Sequence, residues 1–221
     1  MENALIIGAS GGIGQALTRA LKARGTVVRT LSRSADGFDV TQPEAATAML
    51  DAIETRFDLV LVATGALVTN GHRPEKRLVD LSAQAMMDQF ALNTVGPALV
   101  LSRCGRLLPR DRPAVCATLS ARVGSIGDNR LGGWYSYRAA KAAVNQVIHT
   151  AAIELARTHP LLACVALHPG TVATPLTKAY ANRHPTVSPD TSASNLLSVI
   201  DGLSATDTGK FFDWRGEPIP W

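Results

Sequence analysis

Short apolar runs alternate along the chain with longer segments in which apolar residues recur every three or four positions. Several runs are apolar without interruption, as expected for strands that are covered on both faces. The runs predict six strands: Ala4–Ile7, Val27–Leu31, Leu59–Ala63, Ala114–Leu119, Ala163–Leu167 and Lys210–Asp213. The amphipathic segments predict five helices: Ile13–Arg24, Pro43–Thr55, Ser82–Leu108, Tyr135–Thr158 and Thr191–Leu203. This alternation predicts the α/β class, with a doubly wound parallel sheet and helices on both faces.

The pattern contains no break that would separate two domains. A length of 221 residues suits one domain over residues 1–221. Two proline-containing stretches, His72–Arg77 and Pro175–Pro189, are better interpreted as loops over a site than as linkers. The second is the predicted lid, and its Lys178 and Arg183 would favour an acidic substrate, although exposed basic residues are ordinary in a loop.

Composition narrows the class of protein. Hydrophobic residues make up 46% of the chain and the mean hydropathy is +0.10, which excludes a disordered chain. The net charge is only +4 and the basic residues are scattered, so nucleic acid is not an expected partner. An apolar run of about 20 residues is missing, as is a leader with a basic start, so we expect a cytoplasmic protein without membrane segments. An odd number of cysteines, all in apolar stretches, favours a reducing compartment: Cys104, Cys116 and Cys164.

A glycine-rich turn joins the first strand to the first helix. Residues 8–14 read Gly-Ala-Ser-Gly-Gly-Ile-Gly. In this setting glycines permit a tight turn, a close approach of the backbone to a diphosphate and close packing of helix on strand. The N–H groups and the positive dipole end of the helix then bind the phosphates. We therefore predict a dinucleotide site of the Rossmann type at Gly8, Ser10, Gly11, Gly12, Ile13 and Gly14.

The end of the second strand indicates which dinucleotide binds. A site for NAD usually places a carboxylate there, about 20 residues after the loop, to bond the ribose 2′-hydroxyl. This chain instead has Ser32 and Arg33, which could bind a 2′-phosphate through charge-assisted hydrogen bonds. NADP is the predicted cofactor and NAD the less favoured one; the alternative is that Arg33 is a solvated surface residue.

Tyr137 and Lys141 are four residues apart in the predicted helix Tyr135–Thr158, so they share one face. A phenol has a pKa of about 10 and is a poor acid–base group at neutral pH. A neighbouring ammonium favours the phenolate, and the pair could exchange a proton with a carbonyl or alcohol oxygen. On its own such a pair is usually an ordinary helix-surface contact. The glycine-rich turn upstream changes that interpretation.

With both motifs present, the chain resembles the short-chain dehydrogenase/reductase superfamily from Leu5 almost to Trp221. Residues 124–138 look closer still to the small C-factor-like and sniffer-like carbonyl reductases. The resemblance implies that Asn93 supports a proton relay to Lys141, which also binds the nicotinamide ribose beside Tyr137. It implies further cofactor contacts at Asp39 and Val40 (adenine), at Ala63, Thr64 and Gly65 (a degenerate motif without its asparagines), and at Pro169, Gly170, Val172 and Thr174 (nicotinamide and diphosphate).

One position departs from the pattern of the family. Where the family usually has a second serine that holds the substrate carbonyl, this chain has Ala121. Ser120 points to the opposite face of a strand unless the backbone twists or bulges there. Ser125 lies on the following loop and could fold back. Either serine is a candidate catalytic residue, and either could instead be purely structural.

The remaining polar and aromatic residues give weaker signals. His168 precedes Pro169 at a strand end, where a hydrogen-bonded neighbour of the cofactor is the favoured interpretation over an acid–base role. The other histidines have no ligand spacing, so no metal is expected. Tyr135 has no lysine four residues on, so with Trp134 it is expected to line the substrate mouth or pack the loop. The aromatic segments 211–214 and 218–221 are expected to cover the pocket or an interface.

The predicted function is an NADP(H)-dependent oxidoreductase that interconverts a small-molecule carbonyl and an alcohol. The resemblance also implies a homodimer or homotetramer, formed through the helices Ser82–Leu108 and Tyr135–Thr158. The alternative is a dinucleotide-binding signalling or regulatory protein with little turnover, motivated by Ala121 and the degenerate Ala63–Gly65 motif. A dehydratase or epimerase is disfavoured because the chain is short for the extra substrate domain of that group.

Overall fold

The computed structural model describes residues 1–175, 177 and 185–221. Six parallel strands form one sheet in the order β2-β1-β3-β4-β5-β6. The strands are β1 Asn3–Ile7, β2 Val27–Leu31, β3 Leu59–Val62, β4 Ala114–Leu119, β5 Leu162–His168 and β6 Phe211–Asp213. The predicted α/β class and the doubly wound parallel sheet are therefore confirmed.

Seven α-helices connect and cover these strands in the described part of the chain. They are α1 Gly12–Ala23, α2 Arg33–Asp36, α3 Pro43–Asp51, α4 Ala83–Phe90, α5 Gly96–Leu107, α6 Tyr135–Ala156 and α7 Pro189–Gly202. Pro43 begins α3 in the first turn, where its missing N–H costs nothing. Ser82 caps α4 and Ser188 caps α7 by accepting backbone N–H bonds.

Two apolar clusters hold the layers together, one on each face of the sheet. Residues that alternate along a strand point to opposite faces, and β1 divides accordingly: Leu5 and Ile7 join one cluster, Ala4 and Ile6 the other. One face packs mainly on helices α3, α5 and α6, and the other on α1 and α7. All residues of β3 and β4 are buried, which explains why these strands are apolar throughout.

The predicted helix Ser82–Leu108 is interrupted in the structure. Residues Ala91–Val95 form a π-helical turn between α4 and α5. Such a turn carries one extra residue, and it changes the direction of the side chains within it. Asn93 and Thr94 are buried there, and the hydroxyl of Thr94 donates to the carbonyl oxygen of Ala140 on α6 at 2.8 Å. The interruption therefore contains two buried polar side chains, of which Thr94 bonds to α6.

The strand order reverses direction beside β1, because β2 lies on one side of it and β3 on the other. Ligands of open α/β sheets bind outside the carboxyl ends of the strands at such a point. Two cavities lie there, of about 620 and 530 Å³, and both are lined by Ala63, Thr64 and Gly65. Among the described helices, none is long and apolar enough to cross a membrane.

Candidate active site

The glycine-rich turn has the close contacts that its sequence predicts. Gly8 has a φ of +86°, and a Cβ on it would lie 2.8 Å from the carbonyl carbon of Ala63. A Cβ on Gly14 would collide with the carbonyl oxygen of Gly8. Gly11 is the N-cap residue of α1 and provides no side-chain cap, and the first turn of α1 has no acidic residue. The positive end of α1 is therefore open toward the cavities, as a phosphate would require.

The smaller cavity contains the residues expected at the adenosine end. Arg33 lines it and is exposed to solvent. Ser32 also lines it, but its hydroxyl caps α2 at Ala35 and donates to the carboxylate of Asp36 at 3.2 Å. Asp36 itself does not line the cavity. Arg33 is therefore the side chain of this pair that is available to a 2′-phosphate.

Asp39 and Val40 lie at the same end of this cavity. The carboxylate of Asp39 accepts hydrogen bonds from the hydroxyl and the N–H of Thr41 at 2.7 and 2.9 Å. These bonds, together with the charge of Arg33, lower the pKa of Asp39 below its usual range. Asp39 is thus a fixed, ionised acceptor, which suits the amino group of an adenine.

The residues Ala63, Thr64 and Gly65 follow β3 and form the junction of the two cavities. Thr64 has a buried hydroxyl oxygen with no hydrogen-bond partner in the described part of the chain. A Cβ on Gly65 would lie 2.8 Å from Oδ1 of Asn93 and 3.4 Å from Nζ of Lys141. Glycine is therefore needed here to bring this loop against the polar centre, and the unpaired threonine hydroxyl suits a bound polar ligand.

Asn93 is fully buried in the π-helical turn. Its side-chain amide donates to the carbonyl oxygen of Ala66 at 2.9 Å and to Oε1 of Gln89 at 2.6 Å. Its oxygen accepts from the N–H of Ala66 at 3.3 Å. Gln89 in turn donates to the carbonyl oxygen of Leu67 at 2.9 Å, a role that the sequence did not suggest. Together the two amides hold the loop after β3 in place.

Tyr137 and Lys141 lie on the inner face of α6 and line the larger cavity. Tyr137 is 8% exposed and Lys141 is 3% exposed. Nζ of Lys141 lies 5.9 Å from the centroid of the Tyr137 ring and donates to the carbonyl oxygen of Leu119 at 3.1 Å. The structure therefore brings together the phenol and the ammonium, with Asn93 nearby across Gly65.

The protonation of this pair differs from the expectation. We expected the ammonium to lower the pKa of Tyr137, but burial raises that pKa well above its usual value. Burial also lowers the pKa of Lys141 to about 8. Desolvation disfavours the charged form of each group. At neutral pH the pair is thus a neutral phenol beside an ammonium.

The serines of the 120–125 segment are both committed to other partners. Ser120 lines the cavity, but its hydroxyl donates to Oδ1 of Asn145 on α6 at 2.5 Å. Ser125 does not line the cavity, and its hydroxyl donates to the carbonyl oxygen of Pro220. The cavity wall at the family's serine position is the methyl group of Ala121. In this arrangement neither serine has a proton left for a substrate oxygen.

His168 lies at the end of β5, in the cavity wall, beside the ion pair of Arg122 and Asp213. Burial lowers the pKa of its imidazole to about 4, so the ring is neutral at pH 7. Its Nδ1 is buried and none of the described residues bonds to it, which differs from the hydrogen-bonded neighbour that we expected. No group of three potential ligands among the described residues could hold a metal ion.

The segment after β5 lies where the sequence suggested. Val172 is buried, and Pro169, Gly170, Val172 and Thr174 all line the larger cavity. A Cβ on Gly12 would lie 2.9 Å from the methyl carbon of Thr174, so this segment approaches the glycine-rich turn closely. Val187 is bonded to the backbone at Thr171 and Ala173. The predicted lid Pro175–Pro189, with Lys178 and Arg183, lies largely outside the described residues.

Several aromatic residues surround this site. Trp134 lines the cavity and contacts the ring of Tyr137 edge to face at 6.2 Å, whereas Tyr135 does not line the cavity. Trp221 stacks on Phe211 with ring centroids 5.6 Å apart and meets His149 edge to face at 5.5 Å. Trp221 therefore packs against β6 and α6, whereas Trp214 lies against Gly170, and none of the aromatic residues of 211–214 and 218–221 lines the cavity.

Glu75 is a site residue that sequence reasoning missed. It is 7% exposed, and its carboxylate accepts hydrogen bonds from the N–H of Ser136, at 3.2 Å, and from the hydroxyl of Ser136. Its backbone oxygen accepts from the N–H of Trp134 at 2.5 Å. Glu75 thus caps the helix that carries Tyr137. The signal in the sequence is an acidic residue within the loop His72–Arg77, which the proline-containing pattern places over the site.

Comparisons with known proteins agree with this fold and site. The family model described as Enoyl-(Acyl carrier protein) reductase matches residues 30–197. The chain is 30% identical, over all of both proteins, to 1-hydroxy-2-glutathionyl-2-methyl-3-butene dehydrogenase of Rhodococcus sp. (strain AD45). It is 35% identical to C-signal of Myxococcus xanthus over 65% of this chain and 83% of that protein.

Solved structures give the same result. Carbonyl reductase Sniffer of D. melanogaster superposes with a TM-score of 0.84 at 23% identity, over the whole of both chains. A short-chain dehydrogenase/reductase from Burkholderia multivorans with bound NADP superposes with a TM-score of 0.78 at 26% identity, over 100% of this chain and 99% of that one. The chain belongs to the short-chain dehydrogenase/reductase superfamily, a superfamily of oxidoreductases.

Proposed function

We propose that this protein is an NADP(H)-dependent reductase or dehydrogenase that interconverts a carbonyl compound and an alcohol. The observation that carries the proposal is the placement of Tyr137 and Lys141. Both are buried in the wall of a 620 Å³ cavity, and this cavity meets the groove of the glycine-rich turn at Thr64 and Gly65. An acid–base pair thus lies where a nucleotide groove and a substrate-sized space meet.

The groove fits a dinucleotide. The open start of α1 would hold the diphosphate, Asp39 the adenine, and Val172 the carboxamide end of the nicotinamide. When bound, the cofactor supplies or accepts the hydride. The task of the chain is to align a substrate carbon with it and to manage one proton.

Tyr137 performs the proton transfer in this proposal. Because burial keeps its phenol protonated, it is ready to donate to the oxygen of a carbonyl as that oxygen gains negative charge. The ammonium of Lys141, on the next turn of α6, stabilises the phenolate that is left. Asn93 fixes the loop after β3, which lies against Lys141 at Gly65, and this supports its proposed place in the proton relay. In the oxidative direction the same groups act in reverse.

Arg33 supports NADP over NAD. It is exposed at the adenosine end of the groove, while the only acidic side chain in α2, Asp36, is held by the hydroxyl and the N–H of Ser32. A guanidinium there stabilises a 2′-phosphate through charge-assisted hydrogen bonds. The solved relative from Burkholderia multivorans contains NADP, which is consistent with this choice.

The second candidate is a dinucleotide-binding regulatory protein with little turnover. Ala121 leaves no hydroxyl at the position of the family's serine, and Ser120 is bonded to Asn145. The 35% identity to a protein named C-signal also favours this candidate. Both candidates require the same cofactor groove, so turnover distinguishes them.

We also propose a homodimer or homotetramer in the cytoplasm. Two large apolar side chains are exposed to solvent at the expected contact. Val95 lies in the turn between α4 and α5, and Ile153 lies on α6. The three cysteines are free thiols and are buried, which suits a reducing compartment.

The experiment is to follow the loss of NADPH absorbance with a panel of aldehydes, ketones and quinones. Tyr137→Phe should lower kcat by about 10³-fold while NADPH still binds, because it removes only the proton donor. Tyr135→Phe is the matched control, since Tyr135 neighbours the site in sequence but does not line the cavity. Tight NADPH binding without turnover by the wild type on any compound would favour the regulatory candidate. Equal turnover by wild type and Tyr137→Phe would contradict the proposed mechanism.

A further inference from the structure

The cavity that contains Tyr137 has a wall that the proposed chemistry does not use. Its lining is mostly apolar, yet three arginines also line it: Arg122, Arg130 and Arg138. Charged side chains beside an apolar space are costly to desolvate when a ligand enters, unless the ligand carries an opposite charge. The charges of these three residues therefore bear on which substrates enter.

Arg122 is neutralised by its neighbours. Its guanidinium forms ion pairs with Asp128 at 3.1 Å and with Asp213 at 3.2 Å. With two carboxylates on one guanidinium, this group has no positive charge to offer a ligand. It serves instead to join the loop after β4 to β6.

Arg130 and Arg138 differ from Arg122, because neither has a carboxylate within 4.0 Å among the described residues. Arg138 donates to the carbonyl oxygens of Val123 at 3.2 Å and Gly133 at 3.0 Å. Arg138 thus ties together the two ends of the segment in which Arg130 lies. Arg130 is exposed, and its guanidinium donates to the carbonyl oxygen of Asn129 at 3.2 Å.

Backbone hydrogen bonds anchor this segment where it meets α6. Gly132, Gly133 and Trp134 have φ values of +62°, +65° and +54°, a run of left-handed residues that leads directly into α6. The backbone oxygen of Glu75 accepts the N–H of Trp134, which anchors the end of this run. A cation held at the mouth of an apolar cavity by a fixed loop is a preorganised binding group.

We propose that Arg130, supported by Arg138, binds a carboxylate on the substrate, and that the protein acts on carbonyl or hydroxyl compounds with an apolar body and an acidic group. This inference rests on the proposed function, because it names the substrate class of the same site. The apolar body occupies the cavity, the reacting carbon lies near Tyr137, and the acidic group lies at the rim. Guanidinium and carboxylate match in geometry and charge.

The test compares an acid with its neutral analogue. Wild type, Arg130→Gln and Arg110→Gln are assayed with NADPH and two pairs of aldehydes: 4-carboxybenzaldehyde with 4-formylbenzamide, and 4-formylphenoxyacetate with its amide. Arg110→Gln is the matched control, because it removes the same charge from an exposed position that does not line the cavity. We expect the wild type to prefer at least one acid, through a lower KM, by about tenfold or more. This preference should disappear in Arg130→Gln, persist in Arg110→Gln, and weaken as salt is added.

The outcomes separate this inference from the proposed function. Turnover of the amides with no preference for the acids, or a preference that survives in Arg130→Gln, would overturn the inference and leave the reductase proposal intact. If Arg130→Gln raises only the KM for NADPH, Arg130 binds the cofactor rather than the substrate, and the inference is overturned. If no aldehyde is turned over, the reductase proposal fails. Calorimetric titration of the acids and amides into the NADP-loaded protein then tests the inference. Binding of an acid about tenfold tighter than its amide, lost in Arg130→Gln, supports it, and equal affinities overturn it.

Discussion

The carboxylate of Glu75 accepts hydrogen bonds from both the N–H and the hydroxyl of Ser136, the residue that precedes Tyr137. The two residues are 61 positions apart in the chain, and both are buried. A carboxylate at a helix N-terminus satisfies free N–H groups and interacts favourably with the helix dipole. Glu75 therefore links the loop after β3 to the start of the helix that carries the acid–base pair.

Glu75→Gln should lower both stability and turnover. The substitution removes the charge and one acceptor from the start of α6, which costs about 1 kcal/mol in the free energy of unfolding. Because Tyr137 is on the same turn, we expect a loss in kcat that exceeds any change in the KM for NADPH. Thermal unfolding and steady-state kinetics measure the two effects. Glu54→Gln, at an exposed position, is the control, and equal behaviour of both variants would contradict the role of Glu75.

The pH profile of carbonyl reduction should report Lys141. Its pKa is lowered by burial to about 8, whereas that of Tyr137 is raised, so Lys141 is the group of the pair that loses its proton first as pH rises. We expect kcat/KM to be constant below about pH 8 and to fall above it, as the ammonium that stabilises the phenolate is lost. In Lys141→Arg, whose guanidinium keeps its proton, the fall should be absent in whatever activity remains. A wild-type profile that is flat to pH 10 would contradict this assignment.

Substitutions at three positions of the 120–125 segment should show how the carbonyl is held. Since the hydroxyl of Ser120 is bonded to Asn145 and that of Ser125 to Pro220, we expect Ser120→Ala and Ser125→Ala to lower kcat by less than tenfold and to lower the melting temperature. Ala121→Ser adds a hydroxyl to the cavity wall and should raise kcat severalfold. A tenfold or greater loss of kcat in either serine variant would restore that serine as a catalytic residue.

Cofactor preference should depend on Arg33. Arg33→Ala should raise the KM for NADPH by about tenfold, since one charge-assisted contact is lost, and should leave the KM for NADH nearly unchanged. Arg29→Ala is the control, because Arg29 is also exposed on β2 but does not line the groove. A wild-type preference for NADH would refute the NADP assignment.

The sequence predicted the fold closely because each layer has a strong local signal. Uninterrupted apolar runs indicate the buried strands. The turn requires glycine for steric reasons, because a Cβ on Gly8 or Gly14 would collide with neighbouring backbone atoms. Many of the predicted site residues follow strand ends and line the two cavities, since the carboxyl ends of parallel strands meet at one edge.

Other features depended on contacts between distant parts of the chain. The π-helical turn at Asn93 and the cap by Glu75 arise from packing of α4 and of the loop after β3 against α6, and a helical period does not reveal either. The partners of Ser120 and Ser125 lie 25 and 95 residues away. The raised pKa of Tyr137 reflects burial, which the i to i+4 spacing alone does not show.

The π-helical turn at Ala91–Val95 makes the polar centre sensitive to the number of residues as well as to their identity. Since the turn carries one residue more than a regular helix, deleting a single residue from it would let α4 and α5 merge into one continuous helix. The residues before the deletion would then rotate by about 100° relative to those after it. Asn93 could not keep both its hydrogen bonds with Ala66 and its position near Lys141. The sheet would therefore remain folded, while the arrangement of polar side chains at its edge would be lost.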